Sequence, residues 1–206
     1  MINQTRIIKP YSINTGDVIL ETAFSDLANA IHLFQEMDEE TMQHIAGDKG
    51  YLLNHAMVAD RRNGFLWVDE AVASGIQQND FQKDYVINSK CKQLLLLRPR
   101  FDINEAEAQK FLDQYININK GFWKNLWHGK THYAFGNLPA FAIYYVTNKR
   151  VWLGTSNLNT KAFCCGHFAA YFINHFQENL FEDPPKVSPV DLFLNPLFDH
   201  YIIDRT

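Results

Sequence analysis

Cys165 opens the stretch Cys165-Gly166-His167-Phe168, behind the polar segment Thr155 to Lys161. A thiol in the first turn of a helix meets the positive end of the helix dipole, which favours the thiolate, the reactive form of cysteine. Gly166 directly after it removes a side chain that would crowd the sulfur. The plainer reading is a buried small hydrophobe, the usual state of a free cysteine. His55 begins an apolar run beside Asn54, and Glu70 ends the run that returns after Asn63-Gly64. If those runs pair across the Asn-Gly turn, partners have numbers that sum to about 127, which brings His55 into the neighbourhood of Trp67 to Glu70. A carboxylate there holds an imidazole in one tautomer. Taken singly, His55 and Glu70 also fit as surface residues; with Cys165 they supply nucleophile, base and orienter from separate segments. A metal reading draws on Cys164, Cys165, His167 and His175, but adjacent helical residues point about 100° apart, so both thiols cannot face one ion. The Cys-x-x-Cys spacing of common zinc sites is absent. No metal and no cofactor is expected.

These residues need elements to hold them. Gly16-Asp17 leads into Val18-Ile19-Leu20 as a turn into a strand. Phe24 to Phe34 has helical spacing, and the polar Met37 to Lys49 reads as a loop or loose helix. His55 to Asp60 and Phe65 to Glu70 form a hairpin around Arg61-Arg62-Asn63-Gly64. Ala71 to Ile76 continues extended with a bend at Gly75, and Lys92 to Arg98 is a strand stopped by Pro99. Asn104 caps a helix to Asn117 with Ala108, Phe111, Leu112 and Tyr115 along one stripe. Val146 to Gly154 is a small hairpin. Ala162 to Gln177 is the second clear helix, with Cys165, Phe168, Ala169, Phe172 and Phe176 on one face. Pro189 opens a short helical turn over Val190 to Phe193. This order implies an α+β fold, an antiparallel sheet packed against helices.

Hydrophobic residues make up 47% and charged residues 20%, ordinary globular usage that fits one domain over 1–206. The aromatic content is high, with 16 Phe, 9 Tyr and 4 Trp, enough for a ring-rich core or a ring-lined groove. The net charge is −4 and basic residues come only in pairs such as Arg61-Arg62 and Lys149-Arg150, so no nucleic-acid partner is expected. Met1 to Pro10 lacks an apolar signal core and no apolar run reaches membrane-spanning length, which implies a cytoplasmic chain without integral membrane association. Export by a signal-independent route would leave no trace in the sequence. Three cysteines, two of them adjacent, make no disulfide framework.

Several segments in this order resemble the circularly permuted NlpC-type papain-like cysteine peptidases and amidases, the YiiX-like group. His55-Ala56-Met57-Val58 followed by Val68-Asp69-Glu70-Ala71-Val72 resembles their "His-x-Gly-Ile-Val … Ile-Glu-Ala" hairpin, and Gly16-Asp17-Val18-Ile19 their "Gly-Asp-Ile-Ile". Leu94 to Arg100 is similar to the strand before their middle helix. Phe163-Cys164-Cys165-Gly166-His167-Phe168 resembles their "Cys-Ser-Glu-Leu", and more closely the "Asn-Cys-Glu-His-Phe" of the related lecithin:retinol acyltransferase group. Ser188-Pro189-Val190-Asp191-Leu192-Phe193 is similar to their closing "Ser-Pro-Asp-Leu". The resemblance runs from about Tyr11 to Phe198. It implies a permuted papain-like fold with the base ahead of the nucleophile: His55 as base, Cys165 as nucleophile, Glu70 as orienter. Gly166 stands where the family has Ser or Glu, and an aromatic, Gly-rich insertion over 123–158 separates the middle helix from Cys165. The implied activity is hydrolysis of an amide bond in a peptide-like or acyl-bearing substrate, cell-wall peptides among the candidates. Lipid acyl or thioester chemistry on the same fold is the alternative, and a non-catalytic binding module that keeps the groove is the other. Oligomeric state is not readable from the sequence.

Overall fold

The computed structural model describes residues 6–22, 53–72, 74–87, 93–116, 131–133 and 162–206. The expected elements at Phe24 to Phe34, Met37 to Lys49 and Val146 to Gly154 lie outside them.

The Asn63-Gly64 turn organises the centre of the fold. Both residues have positive φ, 51° and 82°, the backbone that a two-residue hairpin turn requires. The strands it joins, β3 (Leu53–Arg62) and β4 (Phe65–Val72), run right up to it, so Arg61 and Arg62 belong to the strand and not the turn. Their partners sum to 127 throughout, from Arg62 opposite Phe65 to Met57 opposite Glu70. Around this hairpin stand β1 (Arg6–Ile8), β2 (Val18–Thr22), β5 (Gly75–Asp80), β6 (Gln93–Pro99) and β9 (Phe198–Ile203). They form one sheet in the order β1-β9-β6-β2-β3-β4-β5, antiparallel except for the β1–β9 pair. A second small sheet pairs β7 (His132–Tyr133) with β8 (Ala162–Phe163). The α+β class and the antiparallel sheet agree with the sequence reading.

Strand alternation sorts side chains onto the two faces of the sheet. Val18, Leu20, Ala56, Val58, Leu95 and Leu97 face a core closed by α1 (Glu105–Tyr115), α2 (Cys165–Phe176) and α3 (Pro189–Leu194). Phe168 and Phe172 of α2 are wholly buried there, each worth about 1.5–3 kcal/mol of burial. Ile19, Met57, Ala59, Val68, Leu94 and Leu96 face the other way, onto Phe81 and the π-helical turn Gln82–Ile87. Asp17 is buried at the head of β2, where Arg98 of β6 grips it through Nε (3.0 Å) and Nη2 (2.7 Å). The Gly16-Asp17 motif is therefore structural.

Two expectations need correction, and one strand was not anticipated. The segment Ala71 to Ile76 is no continuous run: β4 ends at Val72 and β5 starts at Gly75, whose φ of 93° turns the chain back. The second helix starts at Cys165, three residues later than its apolar spacing implied, because Ala162–Phe163 are used in strand pairing. The C-terminal residues close the sheet as β9 between β1 and β6, an element unmarked by alternation.

Candidate active site

The site lies where β3 and β4 part. Their pairing ends at Met57–Glu70, while β4 continues to pair with β5 through Val72–Gly75. Ala59 exchanges backbone hydrogen bonds with Gly16 and Asp17 on the β2 side, so alternation turns the peptide groups of Ala56 and Val58 toward β4. Beyond Met57 no β4 partner meets Ala56, and its N–H donates to the sulfur of Cys165.

Cys165 is the first residue of α2, with Cys164 extended and buried as the N-cap. The first helical bond runs from Phe168 N–H to Cys164 O (2.9 Å), so the N–H groups of Cys165, Gly166 and His167 are free of helical acceptors. Gly166 N–H also donates to the Cys165 sulfur. The role read for Gly166 needs correction. A Cβ there would stand 2.2 Å from the Val187 carbonyl oxygen, so the missing side chain lets the helix start pack on the segment before α3 and does not clear the approach to sulfur. Ser188 holds that segment with a capping box to Asp191.

The His55 ring lies between Glu70 and Cys165. Nε2 lies 2.5 Å from Glu70 Oε2, and a carboxylate only accepts, so Nε2 carries a proton. This leaves Nδ1 for the Cys165 sulfur, to which the ring is hydrogen-bonded. Glu70 sits opposite Met57 in the register and reaches His55 on the diagonal. It is no surface residue: only 3% of it is exposed, and its second oxygen accepts from Asn79 Nδ2 (2.7 Å) and the Tyr85 hydroxyl. Burial works to raise the Glu70 carboxyl, but the bonds from His55, Tyr85 and Asn79 outweigh it and bring the group below its ordinary value. Burial likewise opposes charge on His55 and Cys165. The imidazole is nevertheless raised well above its ordinary value by Cys165 and Glu70, and the thiol is lowered by His55 and the two backbone N–H groups. Both shifts favour a thiolate–imidazolium pair. Glu21 of β2 stands directly across the strand from His55.

The remaining candidates go elsewhere. His167 lies against Phe163 in a tilted arrangement with ring centroids 4.8 Å apart, and burial pushes its imidazole down to about 4. His175 pairs with Glu107 at 3.1 Å. Among the described residues no group of three or more His, Cys, Asp or Glu side chains could hold a metal ion. No helix among them is long and apolar enough to cross a membrane. Most of the 123–158 insertion lies outside the described residues. Within it, Thr131 is buried, accepting from Ile76 N–H (2.8 Å) and donating to Tyr115 O (3.1 Å).

No family model and no curated protein matches the chain. Among solved structures it is similar to the metalloprotein YiiX from Escherichia coli O157:H7, at 16% identity and a TM-score of 0.43, covering 91% of this chain and 95% of that one.

Sequence reasoning missed Asn79, Tyr85 and Glu21. Asn79 lies in Gly75–Asp80, where Ile76 is the one strongly apolar residue. Tyr85 sits on an irregular helical turn, beyond the reach of pairing arithmetic. Glu21 carried a signal: a charged residue ending the apolar run Val18-Ile19-Leu20.

Proposed function

We propose that this chain is a cysteine-nucleophile hydrolase acting on acyl bonds, with Cys165 as nucleophile, His55 as base and acid, and Glu70 as orienter. The observation that carries the reading is a single chain of contacts. A thiol at a helix N-terminus bonds one nitrogen of an imidazole whose other nitrogen bonds a buried carboxylate. The base precedes the nucleophile in sequence, the order of the permuted NlpC-type papain-like domain, and we read the chain as one such domain.

In this mechanism the Cys165 thiolate attacks the substrate carbonyl carbon, forming the S–C bond. The displaced electron pair resides on the carbonyl oxygen, near the positive end of α2 and within the field of its first-turn N–H groups. Collapse breaks the bond to the leaving group, which takes its proton from His55 and leaves a thioester on Cys165. Water then attacks that carbonyl while His55 removes its proton. The acid is released and the ion pair restored. Glu70 stays ionised throughout, keeping the Nε2 proton in place so that Nδ1 faces the sulfur. An amide of a peptide-like substrate is the acyl bond proposed.

Iodoacetamide at about pH 6, below the ordinary thiol value near 8.5, tests the nucleophile. Cys165 is expected to alkylate far faster than Cys91 or Cys164, and an electrophilic acyl probe is expected to be retained as a thioester on it. Equal labelling of all three thiols would sink the hydrolase reading in favour of a binding module.

A further inference from the structure

We propose that Glu21 is a positioning residue of the site: a second carboxylate, across the strand from His55, that holds the imidazole as the protonated partner of the Cys165 thiolate. This inference rests on the thiolate–imidazolium reading above and extends it to a residue outside the triad.

Geometry comes first. Glu21 and His55 are directly opposed in the β2–β3 register, and opposed residues project from the same face with Cβ atoms about 4.5–5.5 Å apart. A bulge between Glu21 and Thr22 then shifts the pairing, Thr22 meeting Leu53, so the Glu21–His55 pair is the last regular step before the strand end. His55 is thus flanked on both strand neighbours by carboxylates, Glu70 from β4 and Glu21 from β2. The two differ in kind. Glu70 is buried and held by three donors, which fixes its charge. Glu21 is half-buried and acts on His55 through space, with Arg205, beyond β9, as its cationic neighbour. Around His55 the charged and titratable groups are therefore Glu21 on β2, Glu70 on β4 and Cys165 on α2. Tyr85, on the π-helical turn, acts on both carboxylates, and Arg205 on Glu21.

Burial, and then the charge of Glu70, raise the Glu21 carboxyl, while His55 lowers it. By reciprocity, ionised Glu21 favours protonated His55, a weaker influence on the ring than those of Cys165 and Glu70. An opposite charge within about 4–6 Å moves an ionisation by about 1–3 units, and solvent at the partly exposed Glu21 trims this to about 0.5–1 unit. That corresponds to roughly 3- to 10-fold in the imidazolium-to-imidazole ratio. The consequence is an ion pair that survives to higher pH than Glu70 alone would allow.

The test is the His55 ring titration, followed by ¹⁵N NMR in the whole chain for wild type, Glu21→Gln and Glu21→Asp. Alkylation of Cys165 by iodoacetate is the second readout, since an anionic reagent is drawn by the imidazolium and its rate falls as His55 loses its proton. Glu21→Gln is expected to lower the His55 titration by about 0.5–1 unit and to move the alkaline limb of iodoacetate labelling down equally. Glu21→Asp should retain most of the wild-type value. If Glu21→Gln fails to fold, His55→Asn supplies the reciprocal measurement: the Glu21 carboxyl, read by ¹³C NMR, should rise by the same amount. An unchanged His55 titration in Glu21→Gln, or an unmoved Glu21 in His55→Asn, overturns the assignment. A wild-type His55 titrating at or below its ordinary 6.5 would instead sink the ion-pair reading, and the difference between wild type and variant would still decide Glu21.

Discussion

Replacing Glu70 with Gln keeps the shape of the side chain and removes its charge from a site where three donors converge. Oε2 accepts a hydrogen bond from His55 Nε2 (2.5 Å), and Oε1 accepts from Asn79 Nδ2 (2.7 Å) and from the Tyr85 hydroxyl. A Gln amide offers one oxygen. Turned toward Asn79 and Tyr85, it sets its NH₂ against His55, which must then accept at Nε2 and carry its proton on Nδ1, facing the sulfur. That is the tautomer that cannot take a proton from the thiol. Turned the other way, it sets NH₂ against the amide of Asn79. In both cases a charge-assisted bond between buried groups is lost, at a cost of about 1.5–3 kcal/mol, or roughly 10- to 150-fold in the population of the ion pair. The assay is the second-order rate of Cys165 carbamidomethylation at about pH 6, read by peptide mass spectrometry with Cys91 and Cys164 as internal references. Labelling in Glu70→Gln should remain measurable but fall by one to two orders of magnitude. Tyr85→Phe, which removes a supporting donor and leaves the His55 bond, should fall by about 2- to 12-fold. A Glu70→Gln rate within about twofold of wild type would refute the reasoning, because the carboxylate would then not govern the imidazole.

Three further outcomes follow from the same geometry. Cys164→Ser should keep the fast labelling and Cys165→Ser should lose it; fast reaction at Cys164 would move the nucleophile to the N-cap position. Gly166→Ala drives a Cβ to 2.2 Å from the Val187 carbonyl, and thermal melting should show a loss of about 3 kcal/mol. A melting temperature equal to wild type would mean that the segment before α3 yields freely. Asp69 is wholly buried beside Asp60, and burial, then the Asp60 charge, raise its carboxyl well above the ordinary value. A raised value means that the folded state holds the proton, so this contribution is present below the unfolded value near 3.8 and is lost as pH rises through the folded one. Asp69→Asn, an amide that mimics the protonated acid, should exceed wild-type stability in denaturant titrations near pH 8 by more than it does near pH 4; an advantage that shrinks as pH rises would contradict the assignment.

Legibility followed the range of each interaction. The hairpin was readable because Asn63-Gly64 dictates a turn whose geometry sets every pair along two strands, and the sum of 127 held from end to end. The α1 cap was readable for the same reason: Asn104 accepts from Glu107 N–H, three residues away. Burial of Glu70 was not, since a charged side chain enters a core only when partners meet it, and two of its three come from segments with no local signature. β5 and the π-helical turn bring Asn79 and Tyr85 to it by topology. The start of α2 was misplaced because apolar spacing continues through Ala162 and Phe163, and only the β7 partner reveals that those residues serve a strand.

One break in strand pairing assembles the proposed machinery. β4 leaves β3 after Glu70 to stay with β5, and three consequences meet at the same point. The last shared pair sets Glu70 within reach of His55. The next peptide of β3, Ala56, loses its strand partner and turns its N–H to the sulfur. The helix that delivers the sulfur is held from behind, where Gly166 lies against Val187 and Ser188 caps the following helix. The two motifs that flank the site in sequence, Gly16-Asp17 and Ser188-Pro189, therefore act on its frame: Asp17 ties β2 to β6 through Arg98, and Ser188 fixes the surface on which α2 begins. Chemistry is left to residues on opposite sides of the break, with β3 supplying the base and α2 the nucleophile. A substitution that re-pairs β3 with β4 beyond Met57 should then silence Cys165 without touching Cys165, His55 or Glu70 itself.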